Sequence, residues 1–327
     1  MNTTAIGSVP WTDADEAVGR TWGACTWPFW PQMPRRSWRE LMIPQYAEGL
    51  PGARFNDAAK EIVVERDTAA LETFIEAASE DPLHAGKMSD SFAAGLPVAL
   101  EAARKAGGVD TFKTHTTGPL TFTLSVKFGD GEVLFSEPAW REAAVLLLVA
   151  KSLWQVETFR PYCRRQVLFF DEPFLAASGS HPVLTPATVE ETLTATLELV
   201  RARAPEATLG VHCCGNTDWA AVLSAPIDVL SFDAYSFGKN LLLYPDEVGE
   251  HIRRGGTLAF GIVPTSDAAA AETAHGLRGA LDRLLDGFSA KGVEVPPERV
   301  LVTPACGTGS LSEELAERVF ALLSAFR

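Results

Sequence analysis

The sequence predicts an α/β barrel of eight parallel strands, each followed by a helix: a (β/α)8 or TIM barrel. Two observations lead there. Short runs of β-branched and aromatic residues stop at polar or glycine-bearing turns, and between them lie Ala-, Leu- and Glu-rich stretches with apolar residues three and four apart. This alternation runs through the latter two thirds of the chain, the pattern of a parallel sheet with helical crossovers, and it fits a closed barrel better than an open sheet. The length, 327 residues, with 46% hydrophobic and 21% charged side chains, suits one such barrel spanning residues 1–327.

Strands are expected at 111–116, 166–170, 208–212, 228–232, 257–263 and 300–303. Helices are expected at 61–78, 136–160, 186–204, 245–254, 268–290 and 312–326. Ser136, Thr185 and Ser312 stand where an N-cap belongs, and Pro138 and Pro186 fall in the first turn. The proline-bearing stretch Trp22 to Trp38 reads as a long loop or a decorated first crossover. Its aromatic group (Trp22, Trp27, Phe29, Trp30, Trp38) either packs beneath that loop or lines a cleft for a partner.

Acidic residues outnumber basic ones, 42 to 28, for a net charge of −14. Such a surface disfavours nucleic-acid phosphates and anionic membranes as partners. No apolar run reaches the length of about eighteen residues that spans a bilayer. The opening MNTTAIGSVPW has neither the basic nor the apolar region of a secretory signal, so a cytoplasmic location is expected. The five cysteines, Cys25, Cys163, Cys213, Cys214 and Cys306, are odd in number and scattered, which suits buried residues or metal ligands better than disulfides.

The most informative stretch is TLGVHCCGNTDW, residues 208–219. Alternation along a strand sends His212 and Cys214 to one side and Cys213 to the other. An imidazole and a thiolate on one side of a strand end make two thirds of a zinc tripod, although a lone His-x-Cys is as readily core packing. A third ligand is offered by VLVTPACGTGSL (residues 300–311), where another β-branched strand ends in Cys306-Gly307. Two strands ending in Cys-Gly are hard to ascribe to packing, and one imidazole with two thiolates leaves a fourth zinc position open, the catalytic arrangement.

Asp233, at the end of the strand 228–232, is a further candidate, either as a ligand, as a group orienting His212, or as a turn cap. Asp171 and Glu172 follow an apolar strand, and alternation lets only one of them face the barrel axis, where it could hold an ammonium group or act as acid or base. Gly7 and Ser8 in AIGSVP offer free N–H groups and a hydroxyl suited to a carboxylate. His115, in KTHTTGPLTF, reads first as a core histidine.

The motifs IGSVP (6–10), TTGPLT (116–121), DEP (171–173), HCC (212–214), DVLSFDAYS (228–236) and ERVLVTPACG (298–307) occur in the order in which they resemble the carboxyl-terminal catalytic domain of cobalamin-independent methionine synthase. That domain belongs to the barrel superfamily shared with uroporphyrinogen decarboxylase. The resemblance implies His212, Cys214 and Cys306 as zinc ligands, with Asp233 in place of a glutamate ligand one methylene longer. It puts Ile6, Gly7, Ser8 and Asp171 in the homocysteine site, Asp171 meeting the amino group. The family's second amino-group carboxylate has no clear counterpart in PFWPQMPRRSWRELM, residues 28–42.

The motifs begin at residue 6, so the chain looks like the short core form without the amino-terminal barrel that helps bind folate. HCCGNT (212–217) is also similar to the zinc motif of corrinoid-dependent thiol methyltransferases. The resemblance therefore implies methyl transfer to homocysteine from methylcobalamin on a corrinoid protein rather than from methyltetrahydrofolate. The rival readings are methyl transfer to another thiol such as coenzyme M, uroporphyrinogen decarboxylation, and non-catalytic binding of zinc and homocysteine. A sulfonate thiol calls for a cation where Asp171 stands, and decarboxylation leaves the triad unexplained.

Overall fold

The computed structural model describes residues 1–327. In chain order its strands are β1 (Asn2–Thr3), β2 (Ala53–Asn56), β3 (Glu61–Val64), β4 (Val109–Thr117), β5 (Lys127–Phe128), β6 (Cys163–Asp171), β7 (Thr208–Cys213), β8 (Val229–Phe232), β9 (Thr257–Val263) and β10 (Val300–Pro304). Seven of them form one sheet in the order β1-β10-β9-β8-β7-β6-β4, and β2, β3 and β5 form a separate three-stranded sheet. Every pair in the large sheet is parallel, as the returning helices require; Pro186–Arg201 carries the chain from β6 to β7, and Ala274–Ser289 lies between β9 and β10.

An eighth strand is absent from the ladder. Between the edge strands β1 and β4 runs the segment from Trp27 to Gln32, which is hydrogen-bonded to both. Trp27 N donates to the Thr3 carbonyl at 2.9 Å and Lys113 N to the Pro28 carbonyl at 2.9 Å, with isolated parallel bridges Phe29–Lys113 and Ser8–Gln32. Pro28 and Pro31 have no N–H to donate, so the segment bridges the edges without becoming a strand. The sheet is thus a curled parallel one of seven strands.

Alternation divides its two faces. Val167, Phe169, Val229, Ala259 and Leu301 form a small inner apolar layer, with Trp27 packed against it. Leu168, Leu209, Val211, Cys213, Leu230 and Val302 point outward into the larger core beneath the helices. The aromatic group of residues 22–38 is dispersed. Phe29 and Trp30 are fully buried, Trp30 stacked on His115, while the Trp38 indole N–H reaches Asp57 at 2.8 Å.

Three expectations need correction. The helix expected from residue 61 begins at Thr68, because Ile62, Val63 and Val64 are β-branched and pair as β3, while Asp67 caps the helix by accepting from Ala70 N. The helix expected over 268–290 is two, Ala268–Ala271 and Ala274–Ser289. The chain is extended at Glu272, and Thr273 starts the second helix by accepting from Gly276 N at 3.1 Å. Ser136 lies in a 3-10 turn, and Glu137 occupies the N-cap of Pro138–Phe159. Thr185 and Ser312 cap their helices as expected.

Glu172 turns away from the inner side of the curled sheet and serves the fold. Its fully buried carboxylate accepts from Leu120 N at 2.9 Å, Thr121 N at 2.7 Å and Thr121 Oγ1 at 2.6 Å, at the start of helix Pro119–Ser125. A Cβ on Gly118 would sit 2.1 Å from the Glu172 carboxyl carbon, so glycine is required there. Glu172→Ala strands two buried N–H groups, and we expect a loss of about 3 kcal/mol in urea unfolding. An unchanged midpoint would contradict this role.

Candidate metal centre and substrate pocket

Parallel register sets residues of adjacent strands abreast. Asp171 on β6 pairs with His212 on β7, and His212 pairs with Ser231 on β8. All three lie at the carboxyl ends of their strands, where barrel enzymes place their chemistry. The His212 Nδ1 is 2.9 Å from Ser231 Oγ, and this pair is buried. With the Nδ1 proton donated to that hydroxyl, the Nε2 lone pair is left free. Nε2 is buried and has no hydrogen-bond partner.

Cys214 follows one residue past β7 and Cys306 two residues past β10. The ligand atoms of His212, Cys214 and Cys306 all lie within 4.8 Å of one another. A tetrahedral zinc ion with Zn–S of about 2.3 Å and Zn–N of about 2.0 Å holds such atoms roughly 3.5–3.8 Å apart, a small tightening from this arrangement. The donor set, the closeness of the three atoms and the unsatisfied Nε2 fit a zinc ion with one vacant position. Cys213 points the other way into the outer core, as alternation requires.

Both glycines of the Cys-Gly pairs are there for close packing. A Cβ on Gly215 would come 2.4 Å from Ala176 Cβ, and one on Gly307 would come 2.1 Å from Ser8 Oγ. Ser8 also ties down the loop that carries Cys306. Its carbonyl accepts from Thr308 N at 2.8 Å, and its hydroxyl accepts from Gly309 N at 3.4 Å.

The three ligand candidates open onto a cavity of about 310 Å³ that is also lined by Ile6, Ser8 and Asp171. Two of the residues singled out in the sequence stay off its wall. Gly7 lies flat against the His115 ring, where a Cβ would meet it at 3.0 Å. Asp233 caps helix Ala234–Leu241 by accepting from Ser236 N at 2.8 Å, and its carboxylate stands outside the three-atom cluster.

Charge in the site is unevenly placed. The Cys306 thiol, and then the His212 ring, hold the Cys214 thiol down to about 4. The Cys214 sulfur first, and burial second, push the Cys306 thiol well above the usual range. Burial pushes the Asp171 carboxyl up to about 6 against the pull of Lys113 and His212. Asp171 Oδ1 is buried and unpartnered, an acceptor with nothing yet to accept.

Sequence reasoning passed over two residues of the site. Ser231 could have been found from strand pairing, once β7 and β8 were taken as neighbours. Glu40 also lines the pocket and is fully buried; it accepts from Met33 N at 3.0 Å and pairs with Arg36 at 2.7 Å. It stands within the stretch 28–42, and only the three-dimensional path of that loop brings it to the cavity.

No protein-family model matches the sequence, and no curated protein matches it significantly. Solved structures do match its fold. A B12-independent methionine synthase from Shewanella sp. W3-18-1, solved with selenomethionine, superposes with a TM-score of 0.59 at 15% identity, over 99% of this chain and 95% of that one. A methyltransferase from Methanosarcina mazei gives 0.60 at 13% identity, over 99% and 94%. A candidate vitamin-B12-independent methionine synthase from Listeria monocytogenes gives 0.57 at 13%, over 99% and 96%. These matches share the α/β fold with its curled parallel sheet, whose seven strands here are one fewer than the eight expected from the sequence.

The arrangement predicts how zinc retention responds to each side chain. Cys306→Ser should lose zinc to a mild chelator, measured as metal per chain after dialysis. Ser231→Ala should keep the fold and weaken zinc roughly tenfold or more by releasing the His212 tautomer. Equal zinc affinity in Ser231→Ala and the parent protein would contradict the orienting role.

Proposed function

We propose that this chain is a zinc-dependent methyltransferase that converts homocysteine to methionine, with residues 1–327 acting as one catalytic unit. The observation that carries the reading is the convergence of His212, Cys214 and Cys306 beside an unpaired, buried Asp171 carboxylate in one cavity. The fold shared with methionine synthase and methyltransferase structures supports it.

In this reading His212 Nε2 and the sulfurs of Cys214 and Cys306 would hold zinc, with the Asp233 carboxylate close enough to feel the charge on Cys214 and His212. The ion would supply a position for the substrate sulfur and would release its proton, since a free thiol with a pKa of about 8.5 is mostly protonated at neutral pH. With zinc held, Cys214 and Cys306 would both serve as thiolates and offset its charge, which would preserve the nucleophilicity of the substrate sulfur. Asp171 receives the substrate ammonium, and Ile6 and Ser8 border its carboxylate end, with Gly7 giving the backbone its close approach to His115. The sulfur lone pair forms the new S–C bond while the bond from methyl to donor breaks, its electrons staying with the donor. The product thioether carries no charge and would be held less tightly than the thiolate.

Methylcobalamin carried by a corrinoid protein is the proposed donor, on the strength of the HCCGNT likeness to corrinoid-dependent thiol methyltransferases. An acidic Asp171, where a sulfonate would need a cation, favours an amino-acid thiol over coenzyme M.

The test is methionine formation by zinc-loaded protein and homocysteine, with methylcobalamin and methyltetrahydrofolate supplied in parallel. We expect turnover with methylcobalamin. Asp171→Asn should raise the KM for homocysteine by about 10- to 100-fold at unchanged zinc content. No methionine from either donor by a protein holding one zinc per chain would sink the proposal.

A further inference from the structure

Of the two fully buried lysines, Lys151 lies on helix Pro138–Phe159, outside the sheet, and Lys113 lies on β4 among the inner-facing residues. Burying an ammonium group is costly unless something requires its charge. Lys113 has no carboxylate in salt-bridge contact. Its Nζ donates to the Ile6 carbonyl and lies 4.9 Å from the centre of the Phe169 ring. Phe169 is two residues before Asp171 on the same face of β6, so the ammonium sits on the inner side of the sheet, deeper than the pocket. The carboxylate that acts on it electrostatically is Asp171, whose ionised form it favours in turn, with the buried Cys25 thiol a lesser influence.

We propose that Lys113 is a positioning residue that supplies the positive charge balancing a negatively charged substrate, while its bond to the Ile6 carbonyl holds the Ile6–Ser8 segment at the pocket wall. The inference rests on the reading above. With both cysteines as thiolates around a zinc dication, the metal group is neutral, and Asp171 and Lys113 cancel. Homocysteine entering as thiolate, carboxylate and ammonium adds one net negative charge; methionine adds none. Lys113 therefore favours substrate over product, which a purely structural lysine would not do.

The experiment compares calorimetric binding of homocysteine and of methionine to zinc-loaded parent, Lys113→Met and Lys113→Gln proteins. Lys113→Gln keeps a donor for the Ile6 carbonyl and guards against loss of the fold. We expect both variants to hold one zinc per chain, to lose about tenfold or more in homocysteine affinity, and to change methionine affinity by no more than about threefold. Equal weakening of the two ligands would make Lys113 a matter of shape alone, and no weakening would remove it from the site; either result overturns the inference. A parent protein that binds zinc but not homocysteine would instead overturn the functional reading, and this inference with it.

Discussion

The site rests on the register in which three parallel strands pair, because that register sets Asp171, His212 and Ser231 abreast at the strands' carboxyl ends. A shift of one residue in β7 would turn His212 outward and bring Cys213 inward. The bond from Ser231 to His212 engages Nδ1 and leaves Nε2 without a partner, and the loop after β10 brings Cys306 to it. That loop is in turn held by Ser8, from the segment after β1. Two ends of the chain, separated by about three hundred residues, thus close on one cavity.

Glycine at both Cys-Gly pairs serves the same end. Ala176 approaches Gly215, and Ser8 approaches Gly307, more closely than any Cβ would allow. The chemistry of the site and the packing of its loops are therefore coupled, and substitution at either glycine is expected to act through the position of the neighbouring sulfur. Around this cluster the polar groups divide their work. Glu172 and Asp233 spend hydrogen-bonding capacity on helix starts, whereas Asp171 and His212 each keep one buried atom unpartnered. Unsatisfied buried polar atoms are expensive, and two of them beside the Cys214 and Cys306 thiols on one pocket wall mark it as a binding site.

Much of this was legible in the sequence. Strands β4 and β6 to β10 announce themselves by β-branched runs that stop at polar or glycine residues, and alternation alone separates His212 and Cys214 from Cys213. Local signals failed where two elements touch or a tertiary contact decides. Ile62, Val63 and Val64 run straight into a helix, so the strand they form was absorbed into it, and Thr273 restarts a helix that composition alone makes continuous. The segment from Trp27 to Gln32 takes a strand's place between the sheet edges with isolated hydrogen bonds rather than a continuous ladder, because prolines interrupt it. Glu40, Ser231 and Lys113 have no chemical signature of their own in the sequence; their importance comes from what the fold sets beside them.

X-ray absorption at the zinc edge tests the central claim most directly. Zinc-loaded protein should show one nitrogen and two sulfurs at bonding distance, and homocysteine should raise the sulfur count from two to three. A spectrum that homocysteine leaves unchanged, or a first shell without two protein sulfurs, would contradict the account.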